Sequence, residues 1–257
     1  MGRPVTNKHR IGEINVNNFG SIIKISNYRS SDDIDVYFPE YDWTNKRVTY
    51  QSFTKGQVKC PYEPRIYNVG YIGEGVRDVN DIKTRRCYNT WLHMLERCYS
   101  DRYHEEKPSY INCEVCNEWH NFQNFHKWYF ENIYEIEGEV IHLDKDILCK
   151  GNKIYSPETC IFVPQYINSL LINSTSARGN LPVGVKYDER CGKYQARSNN
   201  GKNKKVSLGY YSTVQEAFNA YKIYKENHIK DTADLYKNKI PKKLYDALYS
   251  YVIEIDD

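Results

Sequence analysis

At 257 residues the chain is long enough for two or three domains, each with a buried core of its own. Hydrophobic residues make up 40% and charged residues 27%, and the mean hydropathy is −0.77, which excludes a disordered or membrane-spanning chain; no apolar run approaches the roughly 18 residues of a span. The net charge of +3 says little about partners by itself, so charge has to be read locally.

The opening Met1–Thr6 lacks the apolar region of a secretory signal, so the eight cysteines are expected as thiols in a reducing cytoplasm rather than as a disulfide framework. The same residues match the loose myristoylation pattern, against which Pro4 speaks. Arg3, Lys8, His9 and Arg10 form a basic lead-in that reads equally as an arm for a minor groove or as an ordinary terminus. From Ile11 to Val58 the pattern is short and period-two, predicting strands over 21–25, 33–38 and 47–53. Pro61 and Pro64 remove backbone donors and end this small β-module, placed at 1–64.

Over 65–172 the period changes. Trp91, Leu92, Leu95 and Cys98 fall at helical spacing, and so do Phe122, Phe125, Trp128 and Tyr129, which predicts two helices flanking a loop at Pro108. Val140–Ile147 reads as a strand, Lys150–Lys153 as a turn, and Thr159–Val163 as a returning strand, with Pro164 opening a short helix through Asn168 to Leu171. A polar linker is placed at 173–182. Over 183–257 the turn signals Arg190-Cys191-Gly192 and Asn199-Asn200-Gly201 predict a three-stranded antiparallel sheet. A helix then begins at a capping box, Thr213-Val214-Gln215-Glu216, with Ala217, Ala220, Tyr221 and Tyr224 on one face, and Pro241 opens a last helix carrying Leu244, Leu248 and Tyr251 inward. The expected fold class is α+β.

Three groups of residues carry chemistry. Between Val183 and Tyr211 there are seven cations (Lys186, Arg190, Lys193, Arg197, Lys202, Lys204, Lys205) against two anions, a larger excess than that of the whole chain. Alternation along Lys193–Arg197 turns Tyr194 and Ala196 to the helix and Lys193, Gln195 and Arg197 outward. Such a face suits the major groove, where Arg and Lys meet phosphates and guanine edges and Gln reaches adenine; the alternative is a solvated sheet face. The abundance of tyrosine, 25 residues against 8 Phe and 4 Trp, fits a wet groove or, equally, an AT-rich genome. On the hairpin, alternation predicts His142, Asp144 and Asp146 on one face, and with Asn168 on the next helix they could hold Mg²⁺ or Mn²⁺ and activate water against a phosphodiester; an acidic hairpin without ligand is the alternative. Cys113-Glu114-Val115-Cys116 is half of a structural zinc site, with His120, His126, Cys149 and Cys160 as completions, but no second Cys-x-x-Cys exists and buried thiols are the preferred reading.

Gly184-Val185-Lys186-Tyr187, Gly192–Arg197, Leu208–Thr213 and Glu216–Tyr221 together resemble the DNA-binding domain of plant ethylene-response (Apetala-type) factors, which also occurs in phage homing endonucleases. The resemblance implies that Lys186, Arg190, Lys193, Gln195 and Arg197 contact duplex DNA; Tyr194 stands where that family usually has tryptophan. Leu143–Ile147, the Gly151-Asn152 turn, Tyr155–Val163 and Asn168 are similar to the ββα-metal hairpin of phage HNH homing endonucleases, which implies Asp144 and Asn168 as metal ligands. The family's general-base histidine is replaced by Lys145, so either His142 serves as base, or Lys145 has a depressed pKa or stabilises charge, or the nuclease is inactive and only binds. The expectation is a cytoplasmic, phage-type, sequence-selective binder of double-stranded DNA that cuts or nicks with a divalent metal. Its rivals are an inactive regulator or counter-defence factor on the same fold and a binder of single strands or RNA.

Overall fold

Apolar residues alternating over 23–25 and 34–38 leave one side of these strands to be covered, and the chain meets this with an antiparallel meander. In the computed structural model, which describes residues 8–76, 80–171, 181–199 and 205–256, the strands β1 (Ile14–Val16), β2 (Ile22–Ser30), β3 (Asp33–Phe38) and β4 (Trp43–Val48) pair in that order. Ile23, Ile25, Ile34, Val36 and Phe38 form the buried side with Phe53, Val58 and Cys60. The expected strand over 47–53 is instead the end of β4 followed by helix α1 (Tyr50–Thr54), because the Thr49 hydroxyl accepts the backbone N–H of Ser52 at 3.1 Å and caps a helical turn. The chain divides into two compact units, Met1–Glu131 and Asn132–Asp257.

The rest of the first unit is helical. Helix α2 (Ile82–Tyr99) starts at Asp81, whose carboxylate accepts the N–H of Thr84 at 2.7 Å. Helix α3 (Asp101–Glu106), the two-residue strand β5 (Glu114–Val115), helix α4 (Asn117–His120) and helix α5 (Phe122–Asn132) follow. Trp91 and Trp119 are fully buried, the Trp91 indole donates to the carbonyl of Trp119 at 2.6 Å, and the rings of Trp91 and Phe122 stand 5.4 Å apart. The period-3.6 apolar pattern around Pro108 therefore corresponds to a real helical core.

In the second unit, β6 (Ile141–Asp144) pairs antiparallel with β8 (Ile161–Pro164), with the short strand β7 (Ile154–Tyr155) between them in sequence, and helix α6 (Gln165–Leu171) packs on both β6 and β8. Strand β6 is shorter than the expected 140–147, and Pro164 closes β8 rather than lying within the helix. Strands β9 (Val185–Asp188), β10 (Lys193–Asn199) and β11 (Lys205–Tyr211) form a three-stranded antiparallel sheet with β10 central, backed by helix α7 (Val214–Tyr236), on which helix α8 (Lys242–Tyr249) packs. The capping box at Thr213 is present in full. Ile147, Ile161 and Val163 of the hairpin and Ile167 and Leu170 of α6 share one core with Val185, Ala196, Ala217, Phe218 and Tyr221. The expected boundary at 172/173 thus falls inside one unit, because both segments bury their apolar sides in the same cluster. Residues 173–180 of the expected linker lie outside the described residues.

Candidate nucleic-acid interface

The seat of the three-stranded sheet is fixed from behind. Gly184, just before β9, has φ +78°, and a Cβ there would lie 2.1 Å from the Tyr221 ring of α7. Only glycine allows the sheet and helix to approach so closely. Ala196 is 0% exposed and Ser198 is buried, so residues 194, 196 and 198 of β10 turn to the helix while Lys193, Gln195 and Arg197 turn away. The alternation survives a register shift opposite Leu208, where β11 carries one extra residue.

Cross-strand register assembles the outer face. Lys186, Gln195 and Tyr210 lie in one row across all three strands, Arg197 stands opposite Ser207, and Asn199 opposite Lys205. Lys186, Lys193, Lys205 and Tyr210 are exposed; Gln195 and Arg197 are half-buried, and the Gln195 amide donates to the Ser207 hydroxyl at 3.0 Å. Arg190 leaves this row: its guanidinium holds Asp188 at 2.8 and 3.0 Å within the β9–β10 turn. That bidentate contact brings the Asp188 carboxyl down to about 2. Lys202 and Lys204 lie outside the described residues. Tyr210 and Ser207 were missed by sequence reasoning, although their pairing partners on β10 were in view; the one-residue bulge hides their phase.

The hairpin distributes its polar groups differently from simple alternation. His142 and Asp144 do share one side of β6, opposite the buried Leu143, and both are half-buried. The strand then ends, and the Asp144 Oδ1 accepts the N–H groups of Asp146 and Ile147 at 2.7 and 2.9 Å, folding 145–147 into a turn. Burial nevertheless raises the Asp144 pKa, more than these two bonds lower it. Asp146 therefore does not extend the His142 and Asp144 row: both its oxygens accept from the Lys145 ammonium at 2.7 Å. Lys145 also donates to the carbonyl of Asn152 at 2.8 Å and is only 6% exposed, so its amine is held inside the loop. Asn152 completes the knot by donating to the carbonyls of Lys145 and Ile154 at 2.9 and 2.6 Å. Asn168 is half-buried on α6.

Cys113 is buried and Cys116 half-buried, and none of the eight cysteines is in a disulfide. The His120 imidazole lies 3.3 Å from the Tyr99 hydroxyl, and burial lowers the pKa of both His120 and His126. Among the described residues no three His, Cys, Asp or Glu side chains stand close enough together to hold a metal ion. Of the basic lead-in, Arg3 lies outside the described residues, and Arg10 is laid over the Tyr50 ring at 3.9 Å. No helix among the described residues is long and apolar enough to cross a membrane. No family model, curated protein or solved structure matches the chain.

Proposed function

We propose that this protein binds double-stranded DNA in a sequence-selective way through the outer face of β9, β10 and β11. The observation that carries the reading is the row Lys186, Gln195 and Tyr210 with Arg197 beside it, on a sheet whose other side is locked to α7. Cations there meet phosphates, and Arg197 and Gln195, anchored at half-buried positions, read base edges with little loss of side-chain freedom. The resemblance to Apetala-type domains supports the same use of the sheet. Replacing Arg197 with alanine is expected to weaken duplex binding and to lower the slope of log K against log salt by about one. An unchanged slope would remove the face from the interface.

Phosphodiester cleavage on the HNH-like hairpin is the second part of the proposal, and its donor set is narrow. With Asp146 engaged by Lys145, the residues that would hold Mg²⁺ or Mn²⁺ are Asp144 and Asn168, a minimal pair of oxygens that such an ion accepts when water and phosphate fill its other positions. When bound, the ion would polarise the scissile phosphate. His142, on the Asp144 side of β6, would take the proton from water, whereas the enclosed Lys145 would serve as a structural pin. That enclosure favours the rival reading, a binder without cleavage, if His142 does not serve. Metal-dependent nicking of the DNA flanking the protein's own gene, lost in Asp144→Ala and in His142→Ala, separates the two. Protection of a discrete site without nicking would leave the binder.

A further inference from the structure

The first unit has a feature that the sheet of the second does not explain. A cleft of about 350 Å³ opens between β4 and the 59–72 segment, lined by Trp43, Asn45, Lys59, Pro61, Arg65 and Ile72. Its size is at the lower end of ordinary small-ligand sites. The wall is preorganised: the Trp43 ring packs on Phe38 at 5.7 Å, and its indole N–H donates to Glu74 at 2.8 Å. Two of the lining residues, Lys59 and Arg65, bring their charged groups to 5.8 and 5.1 Å from the ring of Phe19, which is 49% exposed.

Both cations gather at one ring, and the nearby carboxylates direct their oxygens to neutral donors rather than to Lys59 or Arg65. Glu74 accepts from Trp43 and, at 3.1 Å, from the Tyr62 hydroxyl. Glu63 is buried, taking the Asn17 amide and, at 3.1 Å, the N–H of Cys60. Among the described residues neither Lys59 nor Arg65 is in an ion pair with a carboxylate. An apolar wall next to two cations without ion-pair partners matches a planar aromatic body with an attached anion.

We propose that this cleft binds a nucleotide unit, its base against Trp43 and Ile72 and its phosphate between Lys59 and Arg65. The source is either a free mononucleotide or the unstacked end of a nucleic-acid strand, which present the same chemistry. The inference does not rest on the sheet of the second unit.

The test is calorimetric titration of the full chain with adenosine monophosphate, with inorganic phosphate and with a 5′-phosphorylated hexathymidylate. Saturable binding of the nucleotide or the oligonucleotide at one per chain is expected, with phosphate alone at least about tenfold weaker. Lys59→Ala, at an exposed position, and Arg65→Ala should each weaken binding by about tenfold, while Lys127→Ala, at an exposed position of α5 that does not line the cleft, leaves it unchanged. Binding of the oligonucleotide without the mononucleotide supports the site and assigns its source to a strand end. Three results overturn the proposal: no binding of either nucleotide probe at millimolar concentration, phosphate binding as tightly as nucleotide, or binding indifferent to both Lys59→Ala and Arg65→Ala. Should Arg65→Ala fail to fold, Lys59→Ala and Lys59→Glu decide the matter.

Discussion

The two main sheets follow the same rules and end with opposite surfaces. In β2 and β3 of the first sheet and in β10 of the second, alternate residues are buried and the rest face out over much of the strand, so packing alone does not distinguish the sheets. On the first sheet the β2–β3 acids meet a cation across the strands: Arg29 holds Asp33 and Asp35 at once, with contacts of 2.6 to 2.9 Å. On the second sheet the Arg190 and Asp188 pair closes a turn, and Lys186, Lys193, Arg197 and Lys205 lie where no acid stands opposite except Asp188. What makes one face a candidate interface is therefore the cross-strand neighbour of each cation, not the number of cations.

The largest expected effect breaks the second sheet and leaves the first intact. Gly184→Ala drives a Cβ into the Tyr221 ring at a positive φ, and about 3 kcal/mol or more of stability should be lost. Chemical denaturation followed by near-ultraviolet circular dichroism would show it; a loss below about 1 kcal/mol would mean that sheet and helix are not seated as described. Next in size is Lys145→Ala, which leaves the carbonyl of Asn152 and the Asp146 carboxylate without their donor. Half of Asp146 is in water, so about 1 to 2 kcal/mol is expected rather than the full cost of a broken buried pair. If Lys145 were instead the working base, the variant would abolish cleavage at unchanged stability.

The comparison itself is sharpened by a pair of arginine substitutions. Arg197→Ala should lower duplex affinity by about three- to tenfold at moderate salt, while Arg29→Ala, removing a cation already committed to two carboxylates, should leave it within twofold or so. Equal losses in a gel-shift or anisotropy titration would show that the first sheet also meets DNA, and the argument from cross-strand neighbours would fail.

Much of the second sheet was legible because its signals are local. The Arg190-Cys191-Gly192 turn, the Thr213 capping box and the alternation of Tyr194 and Ala196 each act within a few residues, and the structure has them where local chemistry puts them, whereas Asn200 and Gly201 of the second turn signal lie outside the described residues. The hairpin was legible only up to Asp144, since alternation holds for as long as a strand does and nothing in the letters 144–147 announces that the Asp144 carboxylate will cap a turn. The Thr49 cap was present in the sequence but masked by the β-branched and aromatic run around it. Beyond reach were the features made by distant segments: Asn17 with Glu63, the hairpin and the sheet sharing a core, and the cleft beside Trp43, whose residues span Trp43 to Ile72.

Acid offers the finest distinction between the sheets. Arg29 holds the Asp35 carboxyl at about 2, below its ordinary 3.8, so between those values the unfolded chain binds more protons than the folded one. The contribution is present above about pH 4 and is lost as the pH falls towards 2. Asp188 behaves in the same way through Arg190, also reaching about 2, but its partner lies on the exposed turn. Urea midpoints between pH 2 and 5 should therefore rise less steeply in Asp35→Asn than in the parent, and Asp188→Asn should flatten them less, because a solvent-screened pair contributes little. Equal flattening would place the two ion pairs on the same footing. The contrast between the faces would then rest on duplex binding alone.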